Sequence, residues 1–216
     1  MTEGIDYFSN HRLKLRFPWR LYHGPIVANL RRMLLSHASG DVLNVGSGPF
    51  FELAELPATG ARYTICDIDP RAIQAAGKLH GSRLARADVI QAGAALPYDD
   101  ASFDLVVSMD VIEHVLEPDP WCRELSRVLR PGGSLFVTTP NYGFSTLGVI
   151  ERTALEAVAR LQGFSRRDLH PSKFSRRRLE RTLETAGFRR IQVRPVALGW
   201  VLAATAQKQP ARCVAR

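Results

Sequence analysis

The sequence contains few cysteines and no long apolar run. The three cysteines, which never form a Cys-x-x-Cys pair, are Cys66, Cys122 and Cys213. Their odd number and wide spacing argue against a disulfide framework and against a thiolate zinc site. No stretch approaches the roughly eighteen apolar residues of a membrane span, and the first residues lack the charged-then-apolar pattern of a secretory signal. We therefore expect reduced cysteines and a cytoplasmic protein.

Internal repeats and low-complexity segments are also absent, and 45% of the 216 residues are hydrophobic, enough for the core of one domain. Lys and Arg number 29 and Asp and Glu 21, so the formal net charge is +8. This excess, concentrated toward the two ends, could attract nucleic acid, anionic lipid or an acidic metabolite. Charge alone does not choose among these partners.

Strand-like and helix-like segments alternate through most of the chain. Strands are predicted at 42–45, 63–66, 84–87, 103–108, 134–138, 189–193 and 198–204, and helices at 25–37, 70–79, 118–129 and after Ser175. This alternation is typical of parallel βαβ units with right-handed crossovers. It predicts a Rossmann-like, doubly wound α/β fold with a mainly parallel seven-stranded sheet and helices on both faces.

The predicted organisation has a main domain over 38–206. An N-terminal cap and helix precede it at 1–37, an insertion on the substrate side covers 142–174, and a flexible tail follows at 207–216. Within the insertion, apolar residues recur at helical spacing over 147–161, which indicates an amphipathic helix. We expect the cap and the insertion to carry substrate specificity.

Small and acidic residues follow three successive predicted strands. Gly46 and Gly48 come directly after the first, where the backbone must turn sharply and approach a ligand closely. Asp67 ends the second strand and suits the two hydroxyls of a ribose, while Asp88 follows the third and suits the exocyclic amine of adenine. The sequence thus outlines an adenosine site. A dinucleotide site would need a third glycine where this chain has Phe51.

These stretches resemble the class I S-adenosylmethionine-dependent methyltransferases, especially the small-molecule group named type 11. The resemblance covers 41–141 and rests on VLNVGSG, the acid of YTICDID, ADVIQAGAALPYDDASFDLVVS, MDVIEHV and LSRVLRPGGSLFVTTPN. Two positions depart from the family pattern, which has an acid where this chain has Asn44 and a third glycine where it has Phe50. Asn44 can still accept a hydrogen bond, whereas Phe50 would restrict the loop.

The resemblance implies S-adenosylmethionine as cofactor and S-adenosylhomocysteine as product. It assigns the methionine part of the cofactor to Gly46, Ser47 and Gly48. It assigns the ribose and adenine to Asp67 with Ile68 and the adenine edge to Asp88 with Val89. Met109 is expected to add backbone contacts.

Methyl transfer from a sulfonium requires mainly that the acceptor be oriented and water excluded, with a base as an aid. Asp110, Glu113 and His114 have the i, i+3, i+4 spacing of one helix face. His114 could take a proton from an acceptor hydroxyl, or the three residues could hold a divalent metal; we expect no resident metal. A partial resemblance to ubiquinone-pathway O-methyltransferases implies a second candidate base, His170, before Lys173 and Phe174.

The resulting hypothesis is a methyltransferase of EC class 2.1.1 that transfers a methyl group to the oxygen of a small-molecule acceptor. The quinone enzymes also suggest peripheral membrane contact through 147–161, although packing over the active site explains such a helix more simply. An RNA-modifying or nucleic-acid-binding protein is the first alternative, but the Asn/Asp-Pro-Pro-aromatic box of enzymes that methylate base amines is absent from 108–111. A non-catalytic cofactor-binding relative is the second.

Overall fold

The structure is a computed structural model that describes residues 19–143 and 170–210, with side chains described from residue 23. Residues 1–18 of the predicted cap and helix, the amphipathic run at 147–161 and the last residues of the predicted tail lie outside this part of the chain.

One seven-stranded sheet organises the described residues, in the order β3-β2-β1-β4-β5-β7-β6. Neighbouring strands from β1 to β5 are parallel, and β7 runs antiparallel to both β5 and β6. The predicted mainly parallel, doubly wound sheet is therefore confirmed. The strands are β1 (Asp41–Val45), β2 (Arg62–Asp67), β3 (Leu84–Val89), β4 (Phe103–Met109), β5 (Leu129–Pro140), β6 (Phe188–Val196) and β7 (Val201–Lys208).

Helices cover both faces of the sheet, which explains why its central strands are apolar on both sides. The helices α3 and α4 contribute Leu125 and Leu183 to one apolar core, whereas α1 and α2 contribute Leu30 and Ala76 to the other. None of the described helices is long and apolar enough to cross a membrane. The four α-helices of the described residues are α1 (Trp19–Ser36), α2 (Pro70–His80), α3 (Pro118–Val128) and α4 (Arg176–Thr185).

Local sequence signals explain several helix ends. The Asp69 carboxylate accepts a hydrogen bond from the Arg71 amide and caps α2, whose first residue is Pro70. Ser175, the predicted cap, accepts one from the Arg178 amide at the start of α4.

The predicted start of the first helix at Pro25 was wrong, because α1 begins at Trp19 and contains Pro25. A proline removes one backbone donor from a helix. The burial of Ile26, Leu30 and Leu34 on one face nevertheless stabilises the helix across that position.

Two strand boundaries also differ from prediction. The fifth strand was expected from 134, but β5 begins at Leu129 and includes the Pro-Gly-Gly segment, with a register shift against β4. The last strand was expected from 198, but Ala197–Gly199 form a 3-10 turn in which all three residues have positive φ, so β7 begins at Val201.

Candidate functional site

The loop after β1 lies at the carboxyl ends of the parallel strands, where open α/β sheets bind ligands. Gly46 and Gly48 both have positive φ, 67° and 53°, which favours glycine. A Cβ on Gly46 would lie 2.4 Å from Cγ2 of Val111, in the segment after β4. The amides of Gly46 and Ser47 donate to the Cys66 carbonyl over 2.8 and 3.2 Å, which ties the loop to β2.

Asp67 joins this loop to the tip of β2. Its Oδ2 accepts a hydrogen bond from the Gly48 amide at 2.8 Å, and its Oδ1 accepts one from the Asp69 amide at 2.9 Å. A carboxylate has about four acceptor sites, so these two contacts leave capacity for the hydroxyls of a ribose. The structure thus brings together Gly48, which the resemblance assigns to the methionine part of the cofactor, and Asp67, which it assigns to the ribose.

Asp88 lies in β3, beside β2, and has two partners. Tyr98 Oη donates to Asp88 Oδ2 at 2.9 Å, and Arg86 Nε donates to Oδ1 at 3.0 Å. Burial is the main reason why the pKa of Tyr98 is raised, so its hydroxyl remains a donor. Tyr98 was missed as a site residue, although it lies within the stretch that carried the resemblance.

Ile68 and Val89 are exposed apolar residues at the same end of the sheet, with 61% and 54% of their surfaces accessible. Asp67 and Val89 are paired in the parallel register of β2 and β3, and Ile68 follows Asp67 directly. Two exposed aliphatic side chains, each directly after an acid in sequence, suit the faces of a planar base, whose edge needs polar partners.

A pocket opens beside this loop, between the sheet and α1. Its lining combines apolar and acidic side chains, and it includes Met109 and two of the predicted loop residues. The N-terminal cap and helix at 1–37 were expected to carry substrate specificity, and α1 supplies part of this lining. The pocket is lined by His23, Ile26, Val27, Gly46, Ser47, Phe51, Glu52, Glu55, Met109 and Asp110.

Phe50 occupies the position where the family pattern has a glycine, and it adopts a left-handed backbone conformation with φ 53° and ψ 47°. Its side chain is 1% exposed and packs edge-on against the rings of Tyr63 and His80. A bulky residue rarely adopts this conformation. The backbone shape that glycine would allow is therefore kept, while the side chain enters the core.

Asn44, the other departure, is 1% exposed. Neither Oδ1 nor Nδ2 of its amide has a hydrogen-bond partner among the described residues. Its neighbours across the sheet, Ile65 and Val107, belong to the core shared with α1 and α2, so Asn44 lies on the face of the sheet that α1 covers.

Glu113, His114 and His170 form a cluster after β4 in which one potential ligand atom of each lies within 4.8 Å of the others. The ring centres of His114 and His170 are 5.0 Å apart. Glu113 is 1% exposed and accepts a hydrogen bond from Thr139 Oγ1 at 3.0 Å, whereas His114 is exposed. A buried carboxylate beside two imidazoles can stabilise a protonated ring or hold a cation.

The predicted helical face of Asp110, Glu113 and His114 is not formed. Asp110 has φ 53°, and only Ile112–His114 form a 3-10 turn. Asp110 Oδ1 instead accepts a hydrogen bond from Thr138 Oγ1 of β5 at 2.9 Å. The helical spacing did not apply, because Asp110 has a left-handed φ and lies outside the short 3-10 turn that follows it.

His170 reaches the cluster through backbone pairing. The Ser172 amide donates to the Glu113 carbonyl at 3.1 Å, and Ser172 Oγ donates to the Val115 carbonyl at 2.7 Å. His170 Nδ1 is hydrogen-bonded to Tyr142 Oη, and the Lys173 ammonium lies 5.6 Å from the centre of the Tyr142 ring. Tyr142 was missed by sequence reasoning, since a single tyrosine near a strand end carries no local signal.

The two described cysteines, Cys66 and Cys122, are free and buried. Burial raises the pKa of the Cys66 and Cys122 thiols to about 12. A thiol protonated at neutral pH is a poor nucleophile, so neither cysteine is suited to covalent catalysis.

Comparison with known proteins adds a family profile described as a methyltransferase domain, type 11, which matches residues 43–137. An uncharacterized methyltransferase from Mycobacterium marinum is 35% identical over 189 residues, covering 80% of this chain and 71% of the relative. Another, from Mycobacterium sp. (strain KMS), is 42% identical over 144 residues, covering 62% of this chain and 55% of the relative. The chain thus spans about half the length of several curated relatives that it matches.

Among solved structures, an S-adenosylmethionine-dependent methyltransferase from Aquifex aeolicus is similar, with a TM-score of 0.63 and 19% identity. The alignment covers 90% of this chain and 95% of that chain. At this identity the similarity describes the fold.

Proposed function

The chain belongs to the class I S-adenosylmethionine-dependent methyltransferases, and we propose that it binds this cofactor and transfers a methyl group to the oxygen of a small-molecule acceptor. The observation that carries the proposal is the Asp67 carboxylate, hydrogen-bonded at 2.8 Å to the Gly48 amide where β1 and β2 end. This hydrogen bond connects the glycine turn to the proposed ribose-binding acid.

The residues around this unit fit an adenosine cofactor. Asp88 is held by Tyr98 and Arg86 with further acceptor capacity, and Ile68 and Val89 offer apolar surface beside it. On the other side of Asp67, Gly46, Ser47 and Met109 line the pocket beneath α1. When bound, S-adenosylmethionine would supply a methyl group on a sulfonium sulfur, which is already a good leaving group.

His114 is the proposed proton acceptor for the hydroxyl of the substrate. It is exposed, follows the pocket residues Met109 and Asp110 in sequence, and lies beside the buried Glu113 carboxylate. A nearby carboxylate stabilises the imidazolium that forms when the hydroxyl proton is transferred. His170 is close enough to share this role, and Tyr142 holds one of its ring nitrogens.

The same cluster favours a second mode, in which a divalent cation bound by Glu113, His114 and His170 orients and polarises an acceptor oxygen. The two modes respond differently to chelation. Activity that survives EDTA and dialysis supports the base, whereas activity restored by one added divalent metal supports the cation.

The first experiment is calorimetric titration with S-adenosylmethionine and S-adenosylhomocysteine. We expect binding by the wild type and by the control Asp119→Ala, whose acid is exposed on α3. We expect no measurable binding by Asp67→Ala. No binding to the wild type would refute the proposed cofactor.

The second experiment measures transfer of a labelled methyl group to hydroxylated small molecules and, in parallel, to RNA. His114→Gln should lower kcat by about a hundredfold or more with little change in cofactor affinity, and His170→Gln tests the second imidazole in the same way. Cofactor binding without transfer to any acceptor would favour a non-catalytic relative, and transfer to RNA would favour the RNA-modifying alternative. Cytoplasmic location stays a prediction.

A further inference from the structure

His80, the last residue of α2, lies behind the cofactor loop although it is 31 positions from Pro49 in sequence. It is only 6% exposed, and its Nε2 lies 3.1 Å from the Pro49 carbonyl oxygen. A carbonyl oxygen can only accept, so Nε2 carries the proton in this contact. The imidazole therefore donates a hydrogen bond to the backbone of the loop that begins at Gly46.

Phe50 shows that this backbone is constrained. Its left-handed φ of 53° is an unfavourable conformation for a bulky residue, and such conformations persist where the surroundings hold them. The Phe50 ring packs edge-on against His80 and Tyr63, with ring centres 6.3 Å apart in both pairs. His80 thus contacts two consecutive loop residues, one through its nitrogen and one through its ring.

The loop then leads directly to the proposed ribose acid. Gly48, the residue before Pro49, donates its amide to Asp67 Oδ2, and the Phe50 amide donates to the Ser47 carbonyl at 3.2 Å. A rotation of the peptide between Pro49 and Phe50 would disturb both contacts, because the two amides that donate them belong to Gly48 and Phe50, the residues on either side of Pro49.

We propose that His80 is a positioning residue for cofactor binding. It holds the Pro49 carbonyl and the Phe50 ring so that the Gly48 amide stays aligned with Asp67. This inference rests on the proposed function, since it assigns His80 to the same cofactor site. It also explains how a loop with phenylalanine in place of the family's glycine keeps its shape.

The test compares two substitutions of His80. His80→Gln keeps an N–H donor within reach of Pro49, whereas His80→Leu keeps apolar bulk against Phe50 and loses the donor. Affinity for S-adenosylhomocysteine is measured by calorimetry well below the melting temperature of each variant. We expect His80→Leu to weaken binding about fivefold or more. We expect His80→Gln to retain most of the wild-type affinity, because it keeps the N–H donor.

A matched control separates positioning from general stability. Leu183→Ala removes a fully buried side chain from α4, in the core on the opposite face of the sheet. It should lower the melting temperature without changing cofactor affinity. If His80→Leu likewise lowers only the melting temperature, His80 is a structural residue and the inference is overturned.

Amide hydrogen exchange of the ligand-free protein gives a second readout. Exchange at Gly48 should accelerate in His80→Leu and stay near the wild-type rate in His80→Gln and Leu183→Ala. If the wild type fails to bind S-adenosylhomocysteine, the proposed function fails, while the exchange rates still decide whether His80 holds the loop. Unchanged exchange at Gly48 in His80→Leu would overturn the inference by itself.

Discussion

Gly46 performs two tasks that a larger residue could not combine. Its backbone has φ 67°, and the absence of a Cβ leaves room for Val111. A Cβ at this position would lie 2.4 Å from Val111 Cγ2. Sequence reasoning predicted the turn from the glycine pattern, but the neighbour that fills the space comes from a segment 65 positions later. The loop after β1 and the segment after β4 are thereby packed together.

Replacing Gly46 with alanine should destabilise the protein by about 2–4 kcal/mol, because the clash adds to the cost of a left-handed alanine. Denaturant unfolding measures the change. Gly60→Ala, where the nearest atom would be 3.6 Å away, is the control and should have little effect. Val111→Ala should recover part of the loss in the Gly46→Ala background. An unchanged unfolding midpoint for Gly46→Ala would contradict this account.

Asn44 illustrates the opposite situation, since its buried amide has no partner among the described residues. Removing an unsatisfied buried polar group is favourable. Asn44→Val should therefore raise the free energy of unfolding of the ligand-free protein by about 1 kcal/mol. Thr139→Val is the comparison, because Thr139 donates to Glu113 and its loss should destabilise. A destabilising Asn44→Val would show that the amide has a partner after all.

At the scale of elements, ion pairs join four strands at the amino ends of the parallel strands. Asp41 at the start of β1 contacts Arg62 of β2 at 2.6 Å and Arg130 of β5 at 2.9 Å. Arg130 also contacts Asp104 of β4 at 2.6 Å. These contacts lie opposite the site, so they affect the sheet rather than the chemistry.

The hydrogen bonds from Arg62 are the main reason why the pKa of Asp41 lies below its ordinary value of 3.8. A lowered pKa stabilises the fold above the ordinary value, and the stabilisation is lost as the pH falls through the folded-state pKa. Asp41→Asn should therefore cost about 1 kcal/mol at pH 7, and the difference from the wild type should vanish in acid. Urea unfolding between neutral and acidic pH measures it.

Asp100→Asn is the control for this measurement, because the Asp100 carboxylate is 79% exposed and its ion pair with Arg127 should contribute little. A cost of Asp41→Asn that stays constant from neutral pH into acid would mean that the charge is not its cause.

At the scale of the whole molecule, the proposed ligand connects α1, the loop after β1 and the ends of β2 and β3. A ligand that binds only the folded state adds about 2.7 kcal/mol at one hundred times its Kd. For a chain of this size that corresponds to a rise in melting temperature of about 5–10 °C with S-adenosylhomocysteine. Calorimetric melting checks the shift. An equal rise in Asp67→Ala would place the ligand elsewhere.

The sequence by itself determined the fold class and the glycine turn, because strand periodicity, glycine pairs and strand-end acids are encoded in neighbouring residues. It placed Asp67 and Asp88 at the same edge of the sheet as the loop, since parallel strands end at the same edge. Only the tertiary structure decided that His170 joins Glu113 and His114, and that His80 holds the Pro49 carbonyl. Those contacts link residues far apart in the chain, and their geometry depends on backbone conformations, such as the positive φ of Asp110, that no local pattern predicts.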